Sequence, residues 1–307
     1  MNNTDRQSDK TIVITGATSG IGLATAKELA GRGARIIGTG RSQTRCSKAE
    51  EVIRASHPEA RISYIVADLS SLRQVRELAS AVKEKVSHEG DGALDVLINN
   101  AGTVSSWYVS TVDGFELQFA VNHLAPFLLT RELLPLLKAS PEGRVITVSS
   151  GSHYNMRMHW KDVLMRKHYN CLMAYKQSKL ANVIFSTELN RRLGPEATVR
   201  AYAVDPGLVN TDIGLKGTTG IARWVWEWRS RGGIMPEKAA ASIAYLAAGR
   251  LSAPAEVYWK DCSPQRPSTY SQNEREALRL WELSERMCGV AAQAVRPDSP
   301  SGDRKVM

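Results

Sequence analysis

The sequence is poor in cysteine, and the little it has is not arranged for structure. Its four cysteines, Cys46, Cys171, Cys262 and Cys288, form no CxxC pair, and no histidine cluster has metal-ligand spacing. Free thiols in a reduced, intracellular protein without a metal are the expectation. No uninterrupted apolar run approaches the ~18 residues of a spanning helix. The opening stretch MNNTDRQSDK has no apolar signal core. These absences argue for a soluble, cytoplasmic protein, at most attached to a membrane surface. Runs of five or more like charges are also missing, which speaks against a nucleic-acid-binding tail. The net charge of +9 is therefore spread out. It reads as a solvated basic surface that also suits a phosphorylated cofactor.

What is present is a regular alternation. Six short apolar runs, TIVITG, ARIIGTG, ISYIVAD, LDVLINNAG, RVITVSS and VRAYAVDPG, recur along the chain, each followed by a helical segment. In the first such segment Ile21, Ala24, Leu29 and Ala30 share roughly one face. Strands alternating with helices predict an α/β fold: a doubly wound parallel sheet with helices on both faces. Residues 1–10 and 293–307 are expected to be loose tails around one domain spanning 11–292.

The first run leads into TGATSGIG, Thr15 to Gly22. Gly16, Gly20 and Gly22 sit where the chain must turn tightly, approach a pyrophosphate and pack helix against strand. The N-terminus of the following helix offers N–H groups and a positive dipole end to phosphate. After the second run come Arg41 and Ser42, a cation and a hydroxyl suited to a ribose 2′-phosphate. NADP(H) is thus favoured over NAD(H). Asp68, at the third strand end, reads either as an acceptor for the adenine amino group or as a helix N-cap.

YKQSK places Tyr175 and Lys179 four residues apart on one helix face. A phenol is a poor proton carrier near neutral pH, but a neighbouring ammonium lowers its pKa. The pair can then act as general acid or base.

The ordered set TGATSGIG, NNAG, VSS, YKQSK and DPG resembles the short-chain dehydrogenase/reductase family from about Thr11 to Met287. YKQSKLANVIFSTEL and the late VYWKDCSPQRPS resemble its retinol-dehydrogenase-like group. The resemblance implies a Rossmann-like fold in a single domain with a substrate lid at about 212–235. It implies that Tyr175 is the acid/base and that Lys179 lowers its pKa and holds the nicotinamide ribose. Ser150, rather than Ser149, would polarise the substrate oxygen, and Asn122 would support a proton-relay water. Ser19, Ile21, Leu69, Asn100, Ala101, Gly102, Pro206, Gly207, Val209 and Thr211 join Gly16, Gly20, Gly22, Arg41, Ser42 and Asp68 as implied cofactor contacts.

Two stretches are expected to set substrate choice. Between Ser150 and Tyr175 lie four of the eight methionines, with Met156 and Trp160 as candidate substrate contacts and core packing as the alternative. The other is IARWVWEWRSRGG, where Trp224 and Trp228 share a helical face and Trp226 points elsewhere. It reads as a lid segment over an apolar substrate, with peripheral membrane contact as an alternative. The expected activity interconverts a hydrophobic ketone or aldehyde and its alcohol. A non-catalytic NADPH-binding sensor on the same fold is the other reading, and a homo-oligomer is left open. Histidines 123, 153, 159 and 168 are given no catalytic or metal role.

Overall fold

The computed structural model describes residues 10–89, 92–207, 235–249, 251 and 255–290. All six apolar runs form strands: β1 (Thr11–Ile14), β2 (Arg35–Gly40), β3 (Ile62–Val66), β4 (Val96–Asn99), β5 (Gly143–Val148) and β6 (Val199–Asp205). They pair in parallel in the order β3-β2-β1-β4-β5-β6, and two further strands extend the sheet beyond β6. The order reverses between β1 and β4. A crevice therefore opens at their carboxyl ends, the usual ligand position in such sheets.

Successive strand residues feed opposite faces. Val13, Leu97 and Val145 enter one core, with α3 (Leu72–Glu89), α5 (Ala125–Ala139), α6 (Cys171–Leu193) and α8 (Glu274–Cys288). Ile12, Ile14, Val96, Ile98 and Ile146 enter the other, with α1 (Gly20–Gly31), α2 (Gln43–Ser56) and α7 (Pro236–Ala248). Both faces are covered, which is why these strands read as apolar runs rather than as alternating patterns. On α1 the buried face is Gly22, Thr25, Ala26, Leu29 and Ala30, with Ile21 and Ala24 only half-buried. The helix face expected from the sequence is thus rotated, because Gly22 presses its backbone onto the glycine loop.

The last two strands escaped the sequence reading. β7 (Tyr258–Lys260) runs parallel to β6, and β8 (Ser263–Pro264) returns antiparallel. Asp261 and Cys262 between them both have positive φ, 48° and 58°. That is the backbone of a two-residue hairpin turn normally marked by Asn-Gly, so Asp-Cys gave no signal. One-turn α4 (Leu117–Phe119) runs through a π-turn, Ala120–Leu124, into α5. Such turns are frequent at functional sites, and Asn122 lies in this one. Among the described residues no helix is long and apolar enough to cross a membrane.

Candidate active site

The glycine loop is fixed from below by neutral hydrogen bonds. Thr15 Oγ1 accepts from the N–H groups of Asn100 and Ala101, both at 3.0 Å. Asn100 Nδ2 donates to the carbonyls of Thr15 and Gly16 at 2.9 and 3.2 Å. The loop and the end of β4 are thereby locked together across the crevice. Gly16 has φ +67°, and a Cβ on it would lie 2.9 Å from Ala101 Cα. A Cβ on Gly22 would lie 2.3 Å from the Gly16 carbonyl oxygen. Both glycines are demanded by the protein's own close packing. Gly20 (φ +54°) starts α1, and exposed Ser19 sits at its N-cap without a side-chain capping bond. A helix N-terminus without such a cap retains donors for an anion, so these residues fit a dinucleotide pyrophosphate.

Arg41 follows β2 and is exposed. Gly40, just before it, would bring a Cβ within 2.4 Å of Thr18 Cγ2, so Arg41 emerges beside the glycine loop. The Ser42 hydroxyl caps α2, accepting from the Arg45 N–H at 3.5 Å. Asp68 Oδ1 accepts from the Ser70 N–H at 3.0 Å, and α3 begins at Leu72, four residues after Asp68. Leu69 is 7 % exposed and its side chain belongs to the core, which leaves its backbone as the part on offer to a cofactor. Ala101 and Gly102 are half-buried at the end of β4.

The second half of the site is built from side chains. Ser149 and Ser150 follow β5 directly but have different partners. Ser149 Oγ is buried and donates to the Lys179 carbonyl at 2.7 Å. Half-buried Ser150 accepts from the Ser152 N–H at 3.2 Å, which leaves its own hydroxyl proton for another acceptor. Lys179 is 3 % exposed, and its Nζ donates to the Val148 carbonyl at 2.9 Å. That ammonium also lies 5.6 Å from the centre of the Tyr175 ring. Burial pulls the Lys179 pKa down to about 8, against an opposing pull from the Asp205 carboxylate.

Asn122 is 1 % exposed in the π-turn. It accepts from the Thr103 N–H at 2.7 Å and donates to the Thr103 carbonyl and to Ser178 Oγ, both at 3.0 Å. Ser178 Oγ in turn donates to the Tyr175 carbonyl at 2.8 Å. Asn122 therefore ties the loop after β4 to the helix turn that carries Tyr175. The fold brings Asn122, Ser150, Tyr175 and Lys179 to one end of the sheet, beside the glycine loop.

Met156 and Trp160 are placed differently. Met156 is 4 % exposed and sits in the core with Met158 and Leu164. Trp160 Nε1 donates to Tyr270 Oη at 3.2 Å and to Glu276, while the Arg279 guanidinium stacks 4.3 Å over its ring. Both residues line a groove of about 870 Å³ with Met173 and Tyr270, a lining without Ser150, Tyr175 or Lys179. Pro206 is buried at the end of β6, and Gly207 follows with φ +78°. Val209, Thr211, Trp224, Trp226 and Trp228, with the rest of 208–234, lie outside the described residues.

A short chain dehydrogenase family model matches residues 10–219. The chain belongs to the short-chain dehydrogenase family. Its oxidoreductases act on alcohol and carbonyl groups, and this member is retinol-dehydrogenase-like. Retinol dehydrogenase 13 of Homo sapiens is 39% identical, over 94% of this chain and 87% of that protein. An uncharacterized protein from Mycobacterium Paratuberculosis has a crystal structure 34% identical in sequence with TM-score 0.72, covering 94% of this chain and 96% of that one. A metagenomic short-chain oxidoreductase, solved in complex with NADP, is 26% identical with TM-score 0.58, over 84% and 97% of the two chains.

In this short-chain dehydrogenase, contacts that no motif announces hold the site together. Ser178 and Thr15 lie inside the quoted motifs, but their bonds depend on the fold. His153 bridges two segments: the Ser268 N–H donates to its Nε2 at 3.2 Å, so its Nδ1–H donates to the Ser150 carbonyl at 2.9 Å. Burial lowers its pKa and favours this neutral form. No sequence spacing signals that pairing, because Ser268 is 115 residues away.

Proposed function

We propose that this short-chain dehydrogenase interconverts an apolar aldehyde or ketone and its alcohol with NADP(H), using Ser150, Tyr175, Lys179 and Asn122. The observation that carries the reading is the buried Lys179 ammonium, held by the Val148 carbonyl and set 5.6 Å from the Tyr175 ring. Burying a cation costs stability unless partners compensate it, so an ammonium kept at this position points to a use in chemistry. Here it lowers the energy of a phenolate on Tyr175 and so lets that phenol carry a proton near neutral pH. A bound nicotinamide supplies or accepts the hydride. Tyr175 Oη gives the proton to the carbonyl oxygen in reduction and takes it back in oxidation. Ser150 Oγ–H donates to the same oxygen as negative charge gathers there. Asn122 keeps the Tyr175 helix turn in register.

For the cofactor, Gly16, Gly20 and Gly22 with the first turn of α1 would hold the pyrophosphate, and Lys179 the nicotinamide ribose. Arg41 and Ser42 support the 2′-phosphate and hence NADP(H), with Arg45 a second exposed cation one helical turn on. Asp68 would take the adenine amino group. The relative's name, retinol dehydrogenase, points to long apolar alcohols as the substrate class. Trp224 and Trp228 are proposed to face such a chain from a lid at 212–235.

The test is Tyr175→Phe, assayed with NADPH against decanal, retinaldehyde and aromatic ketones. Turnover is expected to fall about 10³-fold, while NADPH binding followed by fluorescence stays within about twofold. Undiminished turnover would sink the mechanism. Tight NADPH binding with no turnover by wild type across the panel would favour a sensor.

A further inference from the structure

Asp205 ends β6 one residue past the Val148–Val204 pair of the sheet and is 5 % exposed. Nothing in the reaction above uses it. Its Oδ1 accepts from the Gly207 N–H at 2.9 Å. Its Oδ2 lies 3.9 Å from Lys260 Nζ on β7. On a third side it presses on the turn that follows Ser150, since a Cβ on Gly151 would lie 3.0 Å from Oδ2. Lys179 Nζ is bonded to the carbonyl of Val148, the strand residue paired with Val204. Carboxylate and ammonium thus occupy neighbouring strand ends under the candidate active site.

Among the described residues, few charged and titratable groups surround this corner. Lys179 and Tyr175 come from α6, Lys260 and Tyr258 from β7, and His153 and Tyr154 from the 3₁₀ turn after Ser150. Of the two lysines, Lys260 has a side chain 46% exposed, so solvent screens it. Lys179 is the buried one, and Asp205 is the group opposing its desolvation.

We propose that Asp205 is a positioning residue for hydride transfer, whose buried carboxylate is the counter-charge that holds the Lys179 ammonium beside Tyr175. The proposal rests on the Ser150–Tyr175–Lys179 reading. A carboxyl here does two separable things. It ties down the Gly207 backbone, which an amide oxygen does equally well. It also supplies negative charge, which an amide does not. Without that charge, burial drives Lys179 to give up its proton nearer neutral pH. The neutral amine no longer supports Tyr175, so activity is lost on the alkaline side only.

The experiment measures kcat/KM against pH, from about 5.5 to 9.5, for Asp205→Asn, Lys260→Met and wild type. The substrate is decanal, or whichever panel aldehyde wild type reduces fastest, with saturating NADPH. Asp205→Asn is expected to lie within about twofold of wild type at pH 6 and about fivefold or more below it at pH 8. Its alkaline limb moves to lower pH. Lys260→Met removes a cation that competes for the carboxylate, so its limb moves the opposite way by a smaller amount. An equal loss at every pH in Asp205→Asn, or an unmoved limb, overturns the proposal. If Asp205→Asn fails to fold, Lys260→Met decides alone: an upward shift supports it, and an unmoved or lowered limb overturns it. Tyr175→Phe in parallel separates the two ideas. Full turnover there defeats the underlying reading, whereas an inactive Tyr175→Phe with an unmoved Asp205→Asn limb defeats only the role of Asp205.

Discussion

The two halves of the candidate site are made of different materials. The glycine loop is backbone held by neutral bonds from Thr15 and Asn100, with no buried charge in the lock. The other half gathers Lys179, Asp205 and His153, all buried. The first half should strengthen the fold as it forms the site. The second should cost the fold something, because buried ionisable groups are desolvated for the sake of chemistry.

Substitutions can break that contrast. The largest effect is expected from Lys179→Met, which keeps the volume and removes the charge. It should lower kcat/KM about 10³-fold while leaving the melting temperature unchanged or higher, because the cation no longer has to be buried. A large fall in melting temperature would show that the ammonium serves the fold as well. Thr15→Val is the counterpart on the other side. It strands the N–H groups of Asn100 and Ala101, at a cost of roughly 1–3 kcal/mol for each group left unpaired. Chemical denaturation and NADPH titration should report lost stability and lost affinity together.

Acid sharpens the same comparison. Burial lowers the His123 pKa from 6.5 to about 4. The unfolded chain therefore takes up a proton that the native state refuses between those values. Stability is full above about pH 6.5 and drains as pH falls toward 4, by about 2 kcal/mol between pH 7 and pH 5. His153, also shifted down by burial, adds loss of the same sign. Urea midpoints at the two pH values measure the slope, and His123→Asn should remove most of it. An unchanged slope in that variant would mean that other groups set it.

The smallest effect is expected at Arg41, an exposed cation proposed for the 2′-phosphate. Arg41→Asp should reduce the preference for NADPH over NADH about tenfold, more at low salt than at high salt. An unaltered ratio would remove Arg41 from 2′-phosphate recognition.

Legibility in the sequence follows the same division. Each of the six apolar runs became a parallel strand, because burial on both faces leaves an unbroken apolar signature. The glycine pattern announced the loop, since only glycine tolerates an approach like that of Gly22 to the Gly16 carbonyl. The hairpin at Asp261–Cys262 was hidden because its left-handed residues are not the usual ones. Met156 packs into the core and also lines the groove beside Trp160; composition cannot tell an apolar pocket wall from packing.

The sequence by itself determined the doubly wound sheet, the glycine loop and the Tyr175–Lys179 helix face, because each is a local pattern with its own period or steric rule. The tertiary structure decided which serine keeps a hydroxyl proton to give, that His153 is a neutral bridge, and that Asp205 lies within reach of Lys260 and the turn after Ser150. Those outcomes depend on which groups meet after the strands align and water is excluded. A charge or a proton takes its meaning from neighbours distant in the chain, as His153 does from Ser268, 115 residues on.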